Sequence, residues 1–329
     1  MKKILEALYQ HQTLSRAEAK TILIQISEGK FNASEVSSFL TVFRMRSIKV
    51  EELIGFRDGM QERALTIDLT AFNPVDLCGT GGDGKDTFNI STLASFVVAG
   101  AGLKVAKHGN YGVSSSCGSS NVMESLGYKF TKDPTKLKKQ MDCSGICFLH
   151  APLFHPSMKN VAPIRKDIGV KTFFNMLGPM VNPASPKNQM VGVYSLELQR
   201  YYKYIYEQEN INYRIVHSLD GYDEISLTAP TKVITPDKDY LLNPENISRA
   251  KINPADLHGG KTVKESAQIF TQILGGQGSH AQNKAVIANA AMAIQAVNPQ
   301  KAFEDCISMA TESLESKSAQ SALKTLLSS

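Results

Sequence analysis

Cysteine is scarce and irregular in this chain: five residues in 329, an odd number without a repeating spacing. That excludes a disulfide-stapled scaffold and points to a reducing compartment. Cys143 and Cys147 have three residues between them and no second pair to complete a zinc site. No run of about 18 apolar residues occurs, so no membrane-spanning helix is expected. The opening Met1-Lys-Lys-Ile-Leu-Glu-Ala is charged and amphipathic rather than the apolar core of a signal peptide. A cytoplasmic protein without a membrane partner is therefore expected. A dominant charge is missing as well: 36 basic residues against 31 acidic give a net charge of +5. With no Lys/Arg block, nothing demands nucleic acid, whereas polyanionic small substrates suit the balance.

A local absence is more telling. From Thr87 through Met123 there is no Asp or Glu, and Lys104 and Lys107 are the only charges. That stretch suits an anion. It follows the run Asp76 to Thr92, which packs four glycines, three aspartates and four hydroxyls between a short apolar segment and a helix-like one. Gly79, Gly81 and Gly84 match the dinucleotide spacing G-x-G-x-x-G, but the acid needed about 20 residues on to bind a ribose is missing. Gly79 to Lys85 begins a P-loop, but Asp86 stands where the Ser or Thr that holds magnesium should be. The remaining reading is a phosphate cradle. It is made of backbone N–H groups freed by the glycines, with Thr87, Ser91, Thr92 and the N-terminus of a helix from about Ile90. An ordinary Gly-rich turn is the alternative.

Further segments bear on that choice. Lys107 to Ser120 carries one ammonium, five serines and three glycines between a strand-like run, Leu103 to Ala106, and a helical one, Asn121 to Leu126. Two such loops after neighbouring strands can converge on one ligand at the strand ends of an α/β sheet. His108 alone reads as structural. Then come Phe148 to Arg165, with its His-Ala-Pro-Leu-Phe-His-Pro run, and Asp167 to Pro183, with Lys-Thr-Phe-Phe-Asn-Met-Leu-Gly-Pro. Asp220-Gly-Tyr-Asp-Glu-Ile225 sets adjacent carboxylates in a turn. By itself that pair is as readily a solvated turn, and Arg165 a surface helix arginine.

Taken together, these five ordered motifs resemble the anthranilate phosphoribosyltransferases, tryptophan-pathway enzymes of the nucleoside-phosphorylase-like transferase class. The resemblance runs from the helical N-terminus to at least Pro230. It implies that phosphoribosyl pyrophosphate binds at Gly79, Gly82, Asp83, Thr87, Asn89, Ile90, Ser91 and Thr92. Lys107, His108, Gly109, Asn110, Tyr111, Gly112, Val113, Ser114 and Ser115, with Ser119, would close over the ribose phosphate and pyrophosphate. Anthranilate would meet Gly79, Asn110 and Arg165, whose guanidinium suits a carboxylate. Two Mg²⁺ per chain are implied, one on Ser91 and one on Asp223 and Glu224, hard oxygen donors of the kind Mg²⁺ prefers. No residue is assigned as acid or base; Asn110 and Arg165 act by positioning. The family usually reads Lys-His-Gly-Asn-Arg-Ser in the second loop, whereas this chain has Tyr111 and Gly112. Lys171 also stands where arginine is common.

A pyrimidine nucleoside phosphorylase would share the fold and the Lys-His-Gly loop, but the Asn-Ile-Ser-Thr run and the Asp-Glu pair favour the transferase. A non-catalytic, nucleic-acid-binding relative would carry a basic surface and broken substrate motifs.

The expected fold is α/β. At 42% hydrophobic and 20% charged, the chain can bury one sizeable core plus a smaller unit. Residues 1 to 70 read as a small helical domain, with start signals at Ser15/Glu18 and Asn32/Glu35. From Val75 strand-like runs (146–149, 189–194, 213–217) alternate with helical ones, giving a mostly parallel central sheet flanked by helices over 71–329. Residues 231–261 read as loops with short strands, and the C-terminal helical runs (282–296, 302–314) as scaffold. The resemblance adds that a helical excursion at about 163–185 joins the small domain and that two chains pair as a homodimer.

Overall fold

The computed structural model describes every residue except 113–116. The chain divides into two compact units, Met1–Thr66 with Ala151–Pro183, and Ile67–His150 with Ala184–Ser329.

The first unit is helical. Its four N-terminal helices span Lys2–Tyr9, Arg16–Ser27, Ala33–Met45 and Val50–Glu62. Ser15/Glu18 and Asn32/Glu35 form capping boxes, each side chain satisfying N–H groups that a helix start leaves unpaired. Glu52, fully buried, accepts from the Leu14 N–H at 2.9 Å and from both terminal nitrogens of Arg46 at 2.9 and 2.6 Å. A buried carboxylate needs such partners, and these tie three helix ends together. The later segment belongs to this unit because its aromatics enter the same core. Phe173 stacks on Phe56 at 4.2 Å and meets Phe39 and Phe43 edge-on.

The second unit is built on seven strands: β1 (Val75–Gly79), β2 (Val105–Gly109), β3 (Ile146–His150), β4 (Asn188–Gly192), β5 (Asn212–Ser218), β6 (Thr231–Ile234) and β7 (Asp239–Leu242). Their order is β3-β2-β1-β4-β5-β6-β7. The first five run parallel, and β6 and β7 add an antiparallel edge. β1 to β5 are almost wholly buried, as parallel strands covered by helices must be. The helix Ile90–Gly100 packs on β1, β2 and β3, and His280–Val297 packs on β1, β4 and β5. β7 alternates exposed and covered positions, so it carries no continuous apolar signal. Among the described residues no helix is long and apolar enough to cross a membrane.

Reversal of strand order at β1, with β2 on one side and β4 on the other, creates a crevice at the carboxyl ends of these strands. Open α/β sheets bind ligands in such a crevice. Both Gly-rich loops leave from it, after Gly79 and after Gly109.

Candidate active site

The loop after β1 is held open by glycine. Gly81, Gly82 and Gly84 all have positive φ (66°, 79° and 74°), backbone that L side chains rarely adopt. Gly79, at the strand end, has a second reason: a Cβ there would collide with the carboxylate of Asp223. The Gly81 N–H donates to that carboxylate at 2.6 Å, and the Asp83 side chain accepts from the Lys85 N–H at 3.1 Å. Asn89 precedes the helix Ile90–Gly100 without capping it; its amide instead donates to the Cys117 carbonyl at 3.0 Å, joining the first loop to the second. Ser91 and Thr92 occupy the first turn of that helix. Thr87 forms an isolated antiparallel bridge with His258, the Phe88 N–H donates to the Leu257 carbonyl, and the Gly259 N–H donates to the Asp86 carbonyl. The segment Leu257–Gly259 therefore braces this loop, a part no sequence motif announced.

Lys107 is fully buried on β2, and its ammonium donates to the Leu77 carbonyl at 2.5 Å. The His108 N–H donates to the buried Asp76 carboxylate at 3.1 Å. A Cβ at Gly109 would lie 2.5 Å from Ser119 Oγ, so that hydroxyl would have to turn away. The Asn110 carbonyl accepts from the Ser120 N–H at 3.1 Å and the Ser119 hydroxyl at 3.3 Å. The Gly112 N–H donates to the Asn121 side chain at 2.9 Å. Tyr111 spends its hydroxyl on Glu124 at 2.9 Å and sets its ring edge-on to His150 at 4.9 Å. Val113, Ser114 and Ser115 lie outside the described residues.

Asp223 and Glu224 sit in the loop after β5, both buried. Burial, then the negative charges of Asp83 and Glu224, push the Asp223 carboxyl well above the ordinary carboxylate range. Burial also raises Glu224, to about 7, against the pull of the Lys107 ammonium and of hydrogen bonds from Ser91. Asp83 Oδ2 is buried with no hydrogen-bond partner. Two buried carboxyls that resist ionising, beside an Asp83 oxygen without a hydrogen-bond partner, suit a hard cation that accepts oxygen ligands and removes the mutual repulsion. Among the described residues no three His, Cys, Asp or Glu side chains form a ready-made cage. The residues therefore fit Mg²⁺, which keeps waters and completes its shell from a bound phosphate, better than a metal needing an all-protein site.

Arg165 belongs to the helical unit, on the helix Ala162–Ile168, which stops at Gly169 in the left-handed conformation. Half-buried, its guanidinium lies 5.1 Å from the Phe174 ring centre and reaches Asn175 Oδ1 at 3.4 Å. Burial lowers its pKa to about 10, which leaves it charged at neutral pH.

The α/β domain model of a glycosyl transferase family matches residues 72–320, and that family's helical bundle domain matches residues 2–64. An anthranilate phosphoribosyltransferase of Flavobacterium johnsoniae is 60% identical over 99% of this chain and 98% of its own. The chain belongs to the anthranilate phosphoribosyltransferase family.

Solved anthranilate phosphoribosyltransferases have the same fold. The Thermus thermophilus enzyme superposes with a TM-score of 0.90 at 30% identity, over 98% of each chain. The Saccharomyces cerevisiae enzyme in complex with phosphoribosyl pyrophosphate and Mg gives a TM-score of 0.89 at 27% identity, over 98% of this chain and 96% of its own. Against that family's usual second loop, Tyr111 is the departure whose local consequence is visible. In place of the expected arginine, this chain has an aromatic side chain whose hydroxyl donates to Glu124.

Proposed function

We infer that the chain transfers the phosphoribosyl group of 5-phosphoribosyl 1-pyrophosphate to anthranilate, giving N-(5-phosphoribosyl)anthranilate and pyrophosphate, a step of tryptophan biosynthesis. The observation that carries this reading is the junction of the Gly-rich loop with the acidic pair, through the Gly81 N–H on Asp223. It joins a phosphate cradle to a carboxylate cluster suited to magnesium.

The amine of anthranilate attacks C1 of the ribose. The C1–O bond to pyrophosphate breaks as the C1–N bond forms, with inversion through an oxocarbenium-like state. An aryl amine is neutral at pH 7, and its proton becomes acidic once the nitrogen carries positive charge, so no strong base is needed. Backbone N–H groups of Gly82 to Gly84 and the start of the helix at Ile90 are suited to the charge that grows on the leaving group. Preorganised donors of this kind are worth about 3 to 4 kcal/mol each. Lys107, buried in β2, turns its positive charge to the Leu77 carbonyl of β1 and favours the ionised form of Glu224. Arg165 is suited to the anthranilate carboxylate and Asn110 to positioning the amine, a gain in effective molarity. Ser91, Asp223 and Glu224 would hold Mg²⁺, two ions per chain, which would supply positive charge to the departing pyrophosphate. The family resemblance supports a homodimer and a cytoplasmic location.

Pyrophosphate release tests the reading. Purified chain with Mg²⁺, phosphoribosyl pyrophosphate and anthranilate should release one pyrophosphate for each anthranilate consumed. Phosphate-dependent cleavage of a pyrimidine nucleoside, without pyrophosphate release, would assign the phosphorylase reaction instead.

A further inference from the structure

The helix His280–Val297 is among the most apolar in the molecule, and its central residue is polar. Asn289 is fully buried, between buried Ala288 and Ala290 and a turn from buried Ala285 and Met292. A primary amide in such surroundings is costly unless every polar atom is used. Its Oδ1 accepts the Ile225 N–H at 3.0 Å, and its Nδ2 donates to the Ile225 carbonyl at 3.0 Å and to the Ala285 carbonyl at 2.8 Å. The side chain thus takes both backbone groups of one residue, as a neighbouring strand would. That residue directly follows Asp223 and Glu224.

The rest of this short segment is pinned in the same way. Ser218, the last residue of β5, donates its hydroxyl to the Glu224 carbonyl at 2.7 Å and accepts the Ser226 N–H at 3.2 Å. The backbone from Asp223 to Ser226 belongs to no strand, yet it runs through the buried interior, where unpaired groups are expensive. Asn289 and Ser218 replace the missing ladder.

We propose that Asn289 is a positioning residue for the Asp223–Glu224 pair, holding the backbone at Ile225 so that both carboxylates face the Gly-rich loop after β1. The role rests on the metal-binding reading of those carboxylates. Groups that orient metal ligands typically change metal affinity about 10- to 100-fold when removed. A residue serving only helix packing would lower stability and leave metal affinity alone.

The test measures Mn²⁺ binding by electron paramagnetic resonance on the full chain with phosphoribosyl pyrophosphate, alongside thermal melts. Mn²⁺ shares the oxygen preference of Mg²⁺. Asn289→Ala should weaken Mn²⁺ binding at least about tenfold. Ile294→Ala, which opens a cavity in the same helix, should lower the melting temperature without that loss. Should Asn289→Ala not fold, Asn289→Leu keeps the branching of the side chain, cannot pair with Ile225, and should show the same weakening. Unchanged Mn²⁺ affinity in the Asn289 variant, with loss in Asp223→Ala/Glu224→Ala, overturns the positioning role alone. Unchanged affinity in the double variant overturns the metal reading, and this role with it.

Discussion

A Cβ added at Gly192 would overlap the backbone carbonyl oxygen of Asp223. The last residue of β4 is paired in register with Gly79 of β1, where a side chain would meet the Asp223 carboxylate. Two glycines side by side thus form the floor on which the acidic loop rests. Gly192→Ala should destabilise the chain by about 1 to 3 kcal/mol, the usual cost of overpacking, and raise the Mg²⁺ concentration for half-maximal rate. Denaturant unfolding and a Mg²⁺ titration check both; wild-type values in both would mean the loop shifts without consequence.

Replacing Asp223 and Glu224 together by Ala should lower kcat and raise the Mg²⁺ requirement, while thermal stability without metal holds or rises. The sign follows from the raised carboxyl of each. An acid harder to ionise folded than unfolded contributes stability below its unfolded pKa and loses it as pH rises through the folded value. At neutral pH these groups therefore cost stability. Melts at pH 7.5 and rates at limiting Mg²⁺ are the readouts, and full activity at limiting Mg²⁺ would remove the pair from metal binding.

For Arg165 the expected effect falls on one substrate. Arg165→Ala should raise the anthranilate KM by about 10-fold or more, the scale of one charge-assisted hydrogen bond, and leave the KM for phosphoribosyl pyrophosphate nearly unchanged. Arg165→Lys should recover little, because an ammonium cannot offer the paired donors of a guanidinium. Steady-state kinetics against each substrate decide it, and an unchanged anthranilate KM would take Arg165 out of the site.

His155, in the helical unit, bears on acid stability. It is buried, its Nε2 lies 3.1 Å from the Val181 carbonyl, and burial lowers its pKa to about 4. The folded chain resists protonation that the unfolded chain accepts at its ordinary value. The stability this group contributes is thus full above about pH 6.5 and is lost as pH falls towards 4, by up to about 3 kcal/mol. The stability gap between wild type and His155→Asn should shrink by that amount over the same range. A constant gap in denaturant titrations would contradict it.

Much of the fold was legible because its signals are local. Both capping boxes formed where Ser15 and Asn32 precede an acid by three residues, and the apolar runs at 146–149 and 213–217 lie within β3 and β5. The Gly-rich loop and its place after β1 could be read from glycine spacing. What could not be read depends on distant pairing. The bridge from Thr87 to His258 joins residues with no common motif, and Asn289 looked like one polar position in a scaffold helix. Tyr111 was visible as a departure, but its tie to Glu124, thirteen residues on, follows from no local pattern.

The transfer needs three components at once. Anthranilate fluorescence, followed with purified chain, Mg²⁺ and phosphoribosyl pyrophosphate, tests it most directly against controls each lacking one of them. Fluorescence should fall only in the complete mixture. Steady fluorescence there, in a buffer where another anthranilate phosphoribosyltransferase is active, would contradict it.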